Sequence, residues 1–464
     1  MTGRIEQLRI TARLRRVLAD RARYDAGDDA ERAAWREERL GELRRHASIR
    51  APLYRRLHRG LEAAPLTALP GIGKADVVDR FDELVTDPRL SQAVVSDVVR
   101  SDGAGGGRAG SRALGRYRVG ASSGSSGRPG LFPFDEVEWT GLIANAARAR
   151  ALAGRPLDGR VRTAKVGSPS PWHLSRQVAA TLQDPRKPSL ALDAAGDLAA
   201  LVAALDRWQP HVLSGYPSVL VALAAAQLEG RLSIGPVQVF GGGEPLTAGA
   251  RQVLAEAWGS EPFDQYATTE AGFVAVECTA HVGLHVLDDH VVVEVVDEAG
   301  APVPVGTYGD HVLLTVLGSR TLPLIRYRLD DVVALAGGRC PCGRPGPRVL
   351  GVAGRARELL RLPAAAGGDE VTIHPVAITS VMDALPVRGW QVVTEPGRLA
   401  VRVLAPVPAD VPGAVSARLT GVFAAAGAEV PAVVVEEVAA LERPASGKAS
   451  LVVVTDRMSE HHRP

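Results

Sequence analysis

The period of apolar and polar positions changes along this chain, and the changes mark its parts. Between residues 160 and 270, short apolar runs alternate with longer segments of helical spacing. VRTAKVG, HVLSG, PVQVFGGGEPL and PFDQYA read as strands, and DAAGDLAALVAALDRWQP, PSVLVALAAAQLEG and AGARQVLAEAW as the helices between them. Strands separated by helices predict α/β layers with substantial parallel pairing. Downstream, HVLDDHVVVEVVD and GDHVLLTVL alternate with a period of two and predict strands of a sheet or barrel appended to that body.

Both flanks differ from this pattern. Trp35, Leu40, Leu43, His46, Leu53, Tyr54 and Leu57 recur at roughly helical intervals, broken near Pro52, so residues 1–90 form a helical lead-in to the core at 91–353. After Gly354-Arg355 the chain turns rich in Ala, Val and Pro. It reads as strand, helix, two strands (WQVVTEP, RLAVRVLAP), helix and strand, a small α+β domain over 354–464. That domain ends in RPASGKASLVVVTD, a glycine turn that displays one lysine just before a strand.

At 464 residues the chain can bury a large core and divide into at least two domains. A formal charge of +2 gives no electrostatic call for nucleic acid or an acidic membrane surface. The arginine-rich start, RIEQLRITARLRRVLADRARYD, reads as a solvated helix face, because acids and spaced Leu and Ile interrupt its charge. No apolar run approaches the roughly 20 residues of a membrane helix, and no secretory leader is evident, so a cytoplasmic protein is expected.

Charge chemistry then singles out particular loops. Lysine occurs only at 74, 165, 187 and 448, so Arg is the ordinary cation here and Lys448 in its glycine turn stands out. ASSGSSGRPG (121–130) is open to two readings: a slack Gly/Ser linker, or backbone N–H groups and hydroxyls arranged with Arg128 for a phosphate. Cys278 and His281, with Cys340 and Cys342, supply three thiols and an imidazole, the filled tetrahedral set of a structural zinc site. Their alternative is a role as small buried apolar residues.

Three further segments suggest a nucleotide. In FGGGEPLTAG, glycines after a strand suit backbone approaching a ligand, with Glu244 and Thr247 beside it, or simply a capped turn. In FDQYATTEAG, Tyr266 offers a flat face to a purine, and Thr268, Thr269 and Glu270 cluster oxygens, Glu270 suiting a phosphate-bound Mg²⁺; a helix cap is the alternative. In RYRLDD, Asp331 suits ribose hydroxyls, with Arg328 pairing it or facing phosphate, though acids at a strand end are also ordinary turn residues.

Taken in order, these segments resemble the adenylate-forming superfamily, in its phenylacetate–CoA ligase-like branch. The resemblance runs over nearly the whole chain: RAPLYRRL, GIGKADV, SSGSSGRPG, GGGEPL, YATTE, ECTAHVGLHVLDD, RYRLDD, RCPCGR, GRARELL and SGK. It implies an α/β adenylate-forming fold, with a large multi-sheet N-terminal domain and a small mobile α+β C-terminal domain. It also implies activation of a small, aromatic carboxylic acid by ATP and passage of the acyl group to a thiol, that of CoA. On this resemblance Ser123, Gly124, Ser125, Ser126, Gly127 and Arg128 grip phosphates, and Gly242, Gly243 and Glu244 line adenine. Tyr266 stacks on it, Thr269 and Glu270 serve phosphate and Mg²⁺, Asp331 binds ribose, and Lys448 bridges acyl and phosphate oxygens. A homodimer is among the assemblies it allows.

The chain departs from the branch's pattern at Arg128, where Lys is usual, at Ala267, where Gly is usual, and at the joint, where Arg357 stands for an Asp with Glu358 beside it. These changes leave two other readings open: an adenylating enzyme that delivers to a carrier-protein thiol or an amine, and a non-catalytic nucleotide-binding relative. His173, Trp172 and SGYPSVL are candidate pocket or lid residues, with Trp172 and Tyr216 read as core.

Overall fold

The computed structural model describes residues 2–103, 112–122, 129–154, 157, 160–181, 188–368, 370–395, 397–443 and 447–455. Helices Thr2–Ala26 and Asp29–Arg50 open the chain, and Pro52–Leu57 follows. Asp28 accepts from the Glu31 N–H while Glu31 accepts from the Asp28 N–H, satisfying two donors that a helix start leaves free. Pro52 at the head of the third helix accounts for the break in period there.

These helices are part of the main core. Leu43, Ala47, Leu53 and Tyr54 are buried together with Val312, Leu314 and Val349. The arginine-rich start is also less solvated than its pattern suggests. Arg21 is buried against Asp289, which holds Arg148 at 2.6 Å, and the neighbouring Asp288 holds Arg32 at 2.9 Å. The two acids of HVLDD thus clamp the lead-in to the body, a partnership between distant segments that helical spacing does not encode.

A nine-stranded sheet forms the centre. Thr163–Gly167 pairs in parallel with Ser189–Asp193 on one side and Val212–Gly215 on the other, and Gln238–Gly242 and Phe263–Thr268 continue the parallel part. Gly272–Glu277, Leu284–Val286, Arg348–Arg355 and Asp331–Ala336 extend it with antiparallel pairing. Helices Leu198–Trp208, Pro217–Leu228 and Ala248–Trp258 cover one face, burying Leu205, Leu220, Leu223 and Leu254 over Ala164 and Val166.

Two three-stranded antiparallel sheets flank this layer: Arg112–Ala113, Tyr117–Ala121 and Leu131–Phe134, and Val291–Val296, His311–Val316 and Tyr327–Leu329. Towards the C-terminus, residues from Leu360 to Val452 bury a core of their own, with Phe423, Leu419 and Met382 at its centre. There Trp390–Glu395, Arg398–Leu404, Ala432–Val438 and Val452–Val453 form a four-stranded sheet beside helices Pro375–Asp383 and Val411–Ala425. Among the described residues, no helix is long and apolar enough to cross a membrane.

Candidate active site

The strand order reverses at Thr163–Gly167, since the next two strands in sequence lie on opposite sides of it. In open α/β sheets the crevice outside the carboxyl ends of the strands at such a reversal is where ligands bind. Tyr216, Gly242, Gly243, Tyr266 and Glu270 all lie at or just beyond carboxyl ends of these strands.

Phe263–Thr268 and Gly272–Glu277 form a hairpin with Thr269 and Glu270 at its tip, and the Thr268 hydroxyl accepts from the Ala271 N–H. The next element is a strand, so neither threonine caps a helix. Tyr266 is buried, and its hydroxyl donates to Asp331 at 2.8 Å. Burial, reinforced by Asp331, holds that phenol well above its usual range, so it stays a donor. Asp331 opens the edge strand Asp331–Ala336 and lies opposite Arg355, whose Nε is 3.6 Å from the carboxylate. Arg355 therefore takes the place expected of Arg328. The latter sits on the neighbouring three-stranded sheet and its guanidinium meets His311, because the chain passes from one sheet to the other between Leu329 and Asp331. Glu270 accepts from the Tyr327 hydroxyl at 3.4 Å and also from the Thr268 hydroxyl and its own N–H, and burial raises its pKa.

Gly243 has φ +83°, and an added Cβ would lie 3.0 Å from the Tyr216 ring and 3.4 Å from Lys448 Cε. This is a close approach only glycine permits. Glu244 beside it accepts from the Ser218 N–H (2.9 Å) and hydroxyl (3.1 Å), and also from the Ala449 N–H. Its carboxylate therefore joins the central sheet to the lysine turn. Thr247 has the capping role that sequence left open, accepting from the Ala250 N–H at 3.1 Å.

Lys448 enters from the C-terminal part. Gly447 precedes it with φ +76°, and an added Cβ would lie 2.8 Å from the Ala194 side chain. The lysine Nζ lies over the Tyr216 ring, 5.6 Å from its centre. Burial, then Arg355, lowers its pKa, against the pull of Glu244, Asp331 and Glu270. Lys448 thus shares one electrostatic site with three acids brought from distant segments. Further contacts hold this docking: Asp383 accepts from the Ala248 N–H at 2.8 Å, and Arg443 donates to the Ser218 carbonyl at 3.0 Å. At the joint, buried Glu358 accepts from the Arg355 N–H at 3.1 Å and is hydrogen-bonded to Ser450, while Arg357 beside it is exposed. Sequence reasoning marked GRARELL as the joint but gave no site role to Arg355, whose partner Asp331 comes from a different strand.

Ser123 to Arg128 lie outside the described residues. Their described neighbours decide one point. Ser122 donates its N–H to the Gly130 carbonyl at 3.0 Å and accepts from the Gly130 N–H at 2.8 Å. The segment joins two strands of one hairpin, so it does not link separate bodies. The base of that hairpin meets the Thr269 side chain, 3.4 Å from where a Gly120 Cβ would stand.

The thiols gather, but with a different histidine. Ligand atoms of Cys278, His285, Cys340 and Cys342 lie within 4.8 Å of one another, with Cys278 Sγ 3.7 Å from Cys340 Sγ and Cys342 Sγ 3.3 Å from His285 Nε2. Thiolates about 2.3 Å from a tetrahedral zinc stand about 3.7 Å apart, so the donor set fits such an ion. His281 turns away with φ +49°, lying against Phe263 and 3.5 Å from Glu277. The chain reverses after Cys278, and pairing of Leu284 with Glu277 returns His285 beside the thiols.

No family model matches the chain. A phenylacetate-coenzyme A ligase of Thermus thermophilus is 27% identical over 379 residues, covering 76% of this chain and 75% of that protein. Among solved structures, 2-hydroxyisobutyryl-CoA ligase in its postadenylation state matches with a TM-score of 0.72 and 21% identity, over 94% of this chain and 92% of that one. The same ligase in its thioesterification state gives a TM-score of 0.59 at 21% identity, over 93% and 91%. The chain has the adenylate-forming fold and is similar in sequence to phenylacetate-coenzyme A ligases.

Proposed function

We propose that this chain is an AMP-forming ligase that activates a small carboxylic acid with ATP and passes the acyl group to the thiol of CoA. The observation that carries this reading is Lys448, delivered by the C-terminal part to the carboxyl ends of the central strands, beside Tyr266–Asp331 and Glu270. A carboxylate oxygen attacks the α-phosphorus of ATP, the bond to pyrophosphate breaks, and an acyl adenylate forms. The Lys448 ammonium donates to the oxygens that crowd around that phosphorus, where a preorganised charge in a water-poor site is most effective. Asp331, held by Tyr266 and Arg355, takes the ribose hydroxyls, and Thr269 faces phosphate. In the second step the thiol sulfur attacks the acyl carbonyl, AMP leaves and the thiol proton passes to solvent.

Glu270, a buried carboxylate at the hairpin tip beside Lys448, would hold Mg²⁺, which would supply charge neutralisation on the phosphates. Cys278, His285, Cys340 and Cys342 would hold a structural zinc that braces the edge of the nine-stranded sheet. The closer match to the postadenylation state supports reading the present docking as the adenylating arrangement. A swing about the joint near residue 354 then removes Lys448 for thiol attack. Acid-dependent ATP–pyrophosphate exchange tests the reading. Lys448→Ala should lower exchange by at least about 100-fold, the usual worth of one preorganised charge, while ATP still binds. Exchange as fast as in the parent would sink the assignment.

A further inference from the structure

Lys165 is the described lysine at this site that the proposed reaction leaves unused. It lies in the strand where the order reverses, next to Ser214 and Ala191 of the flanking strands. Its Cε is 3.5 Å from where a Gly167 Cβ would stand, so the side chain runs up the strand over Gly167, toward the carboxyl-end crevice. Among the described residues it has no hydrogen bond or ion pair. The charges that act on it, Lys448 and Arg150, are cations, and Lys165 and Lys448 together act on His173 at the crevice wall. A half-buried ammonium with cations around it is costly unless a ligand supplies the anion. The surface of this chain uses Arg almost throughout, so a lysine here is a departure from its own habit.

We infer that Lys165 binds a second anionic group on the substrate, so that the acids this site prefers are dicarboxylic acids, one carboxylate meeting Lys448 and the other Lys165. This rests on the acyl-adenylating reading of the site. The position fits the distinction: Lys448 arrives with the C-terminal part, whereas Lys165 belongs to the central sheet itself. Burial, then Lys448 and Arg150, lowers its pKa to about 8, so the free ammonium is still largely charged at neutral pH and gains most from an anion.

The test compares a short dicarboxylic acid with its monocarboxylic counterpart of equal length, in pyrophosphate exchange and in calorimetric binding. The parent should favour the diacid in both. Lys165→Met should collapse the ratio of kcat/KM values by about 10- to 150-fold, as loss of a hydrogen bond to a charged group does, and Lys165→Arg should restore part of it. Thermal melting of both variants establishes that they fold. Equal losses for the two acids would overturn the inference, assigning Lys165 to the reacting carboxylate or to nucleotide. An unchanged ratio would overturn it too. Selective diacid binding without exchange by the parent would retain Lys165 and reject the adenylation reading.

Discussion

Glu244 offers a quantitative test of the docking. Its carboxylate accepts from Ser218 twice and from the Ala449 N–H once, and only the last of these bonds joins the lysine turn to the central sheet. Glu244→Ala deletes that acceptor. A hydrogen bond to a charged group is worth about 1.5–3 kcal/mol, so the docked arrangement should weaken by about 10- to 150-fold. Glu244→Gln keeps an oxygen but loses the charge, and should recover part of the loss. On the proposed mechanism, adenylation needs Lys448 in place and the second half-reaction does not. The assay is therefore split: pyrophosphate exchange for the first step, and thioester formation from synthetic acyl adenylate and CoA for the second. Exchange should fall by the stated factor, while the second step changes little. Equal losses in both steps, or a rise in KM for ATP with kcat intact, would refute this reasoning and return Glu244 to adenine.

Other outcomes follow from the same contacts. One zinc per chain is expected by elemental analysis; His285→Ala should lose it and His281→Ala should keep it, because only His285 lies with the three thiols. Phe423→Ala, in the fully buried C-terminal core, should cost about 3–5 kcal/mol by denaturant titration and take adenylation with it, since that core carries the lysine turn. The alkaline limb of kcat/KM should fall below the ordinary lysine range, as burial and Arg355 lower the pKa of Lys448, which loses its proton and its function as pH rises. Glu244→Gln removes a charge that opposes this lowering and should move the limb further down.

Period and composition were enough to read the strand–helix alternation from residue 193 to 268, because side-chain periodicity is local and each element must bury one face, but not helix Leu174–Thr181 or strand Ser189–Asp193. The order of the motifs, ending in the lone lysine turn, also gave the superfamily resemblance. Pairings across distance were not legible. Spacing pointed to His281 beside Cys278, whereas strand register brings His285 to the thiols instead. Arg328 stands three residues from Asp331, yet a change of sheet separates them, and Arg355 arrives by antiparallel pairing instead. Arg21 looked like a solvated charge until Asp289 came to meet it. Lys165 was one of four scattered lysines in the sequence. Its position at the reversal of strand order, among cations and without an acid, exists only in three dimensions, because electrostatics depends on distance through space and not along the chain.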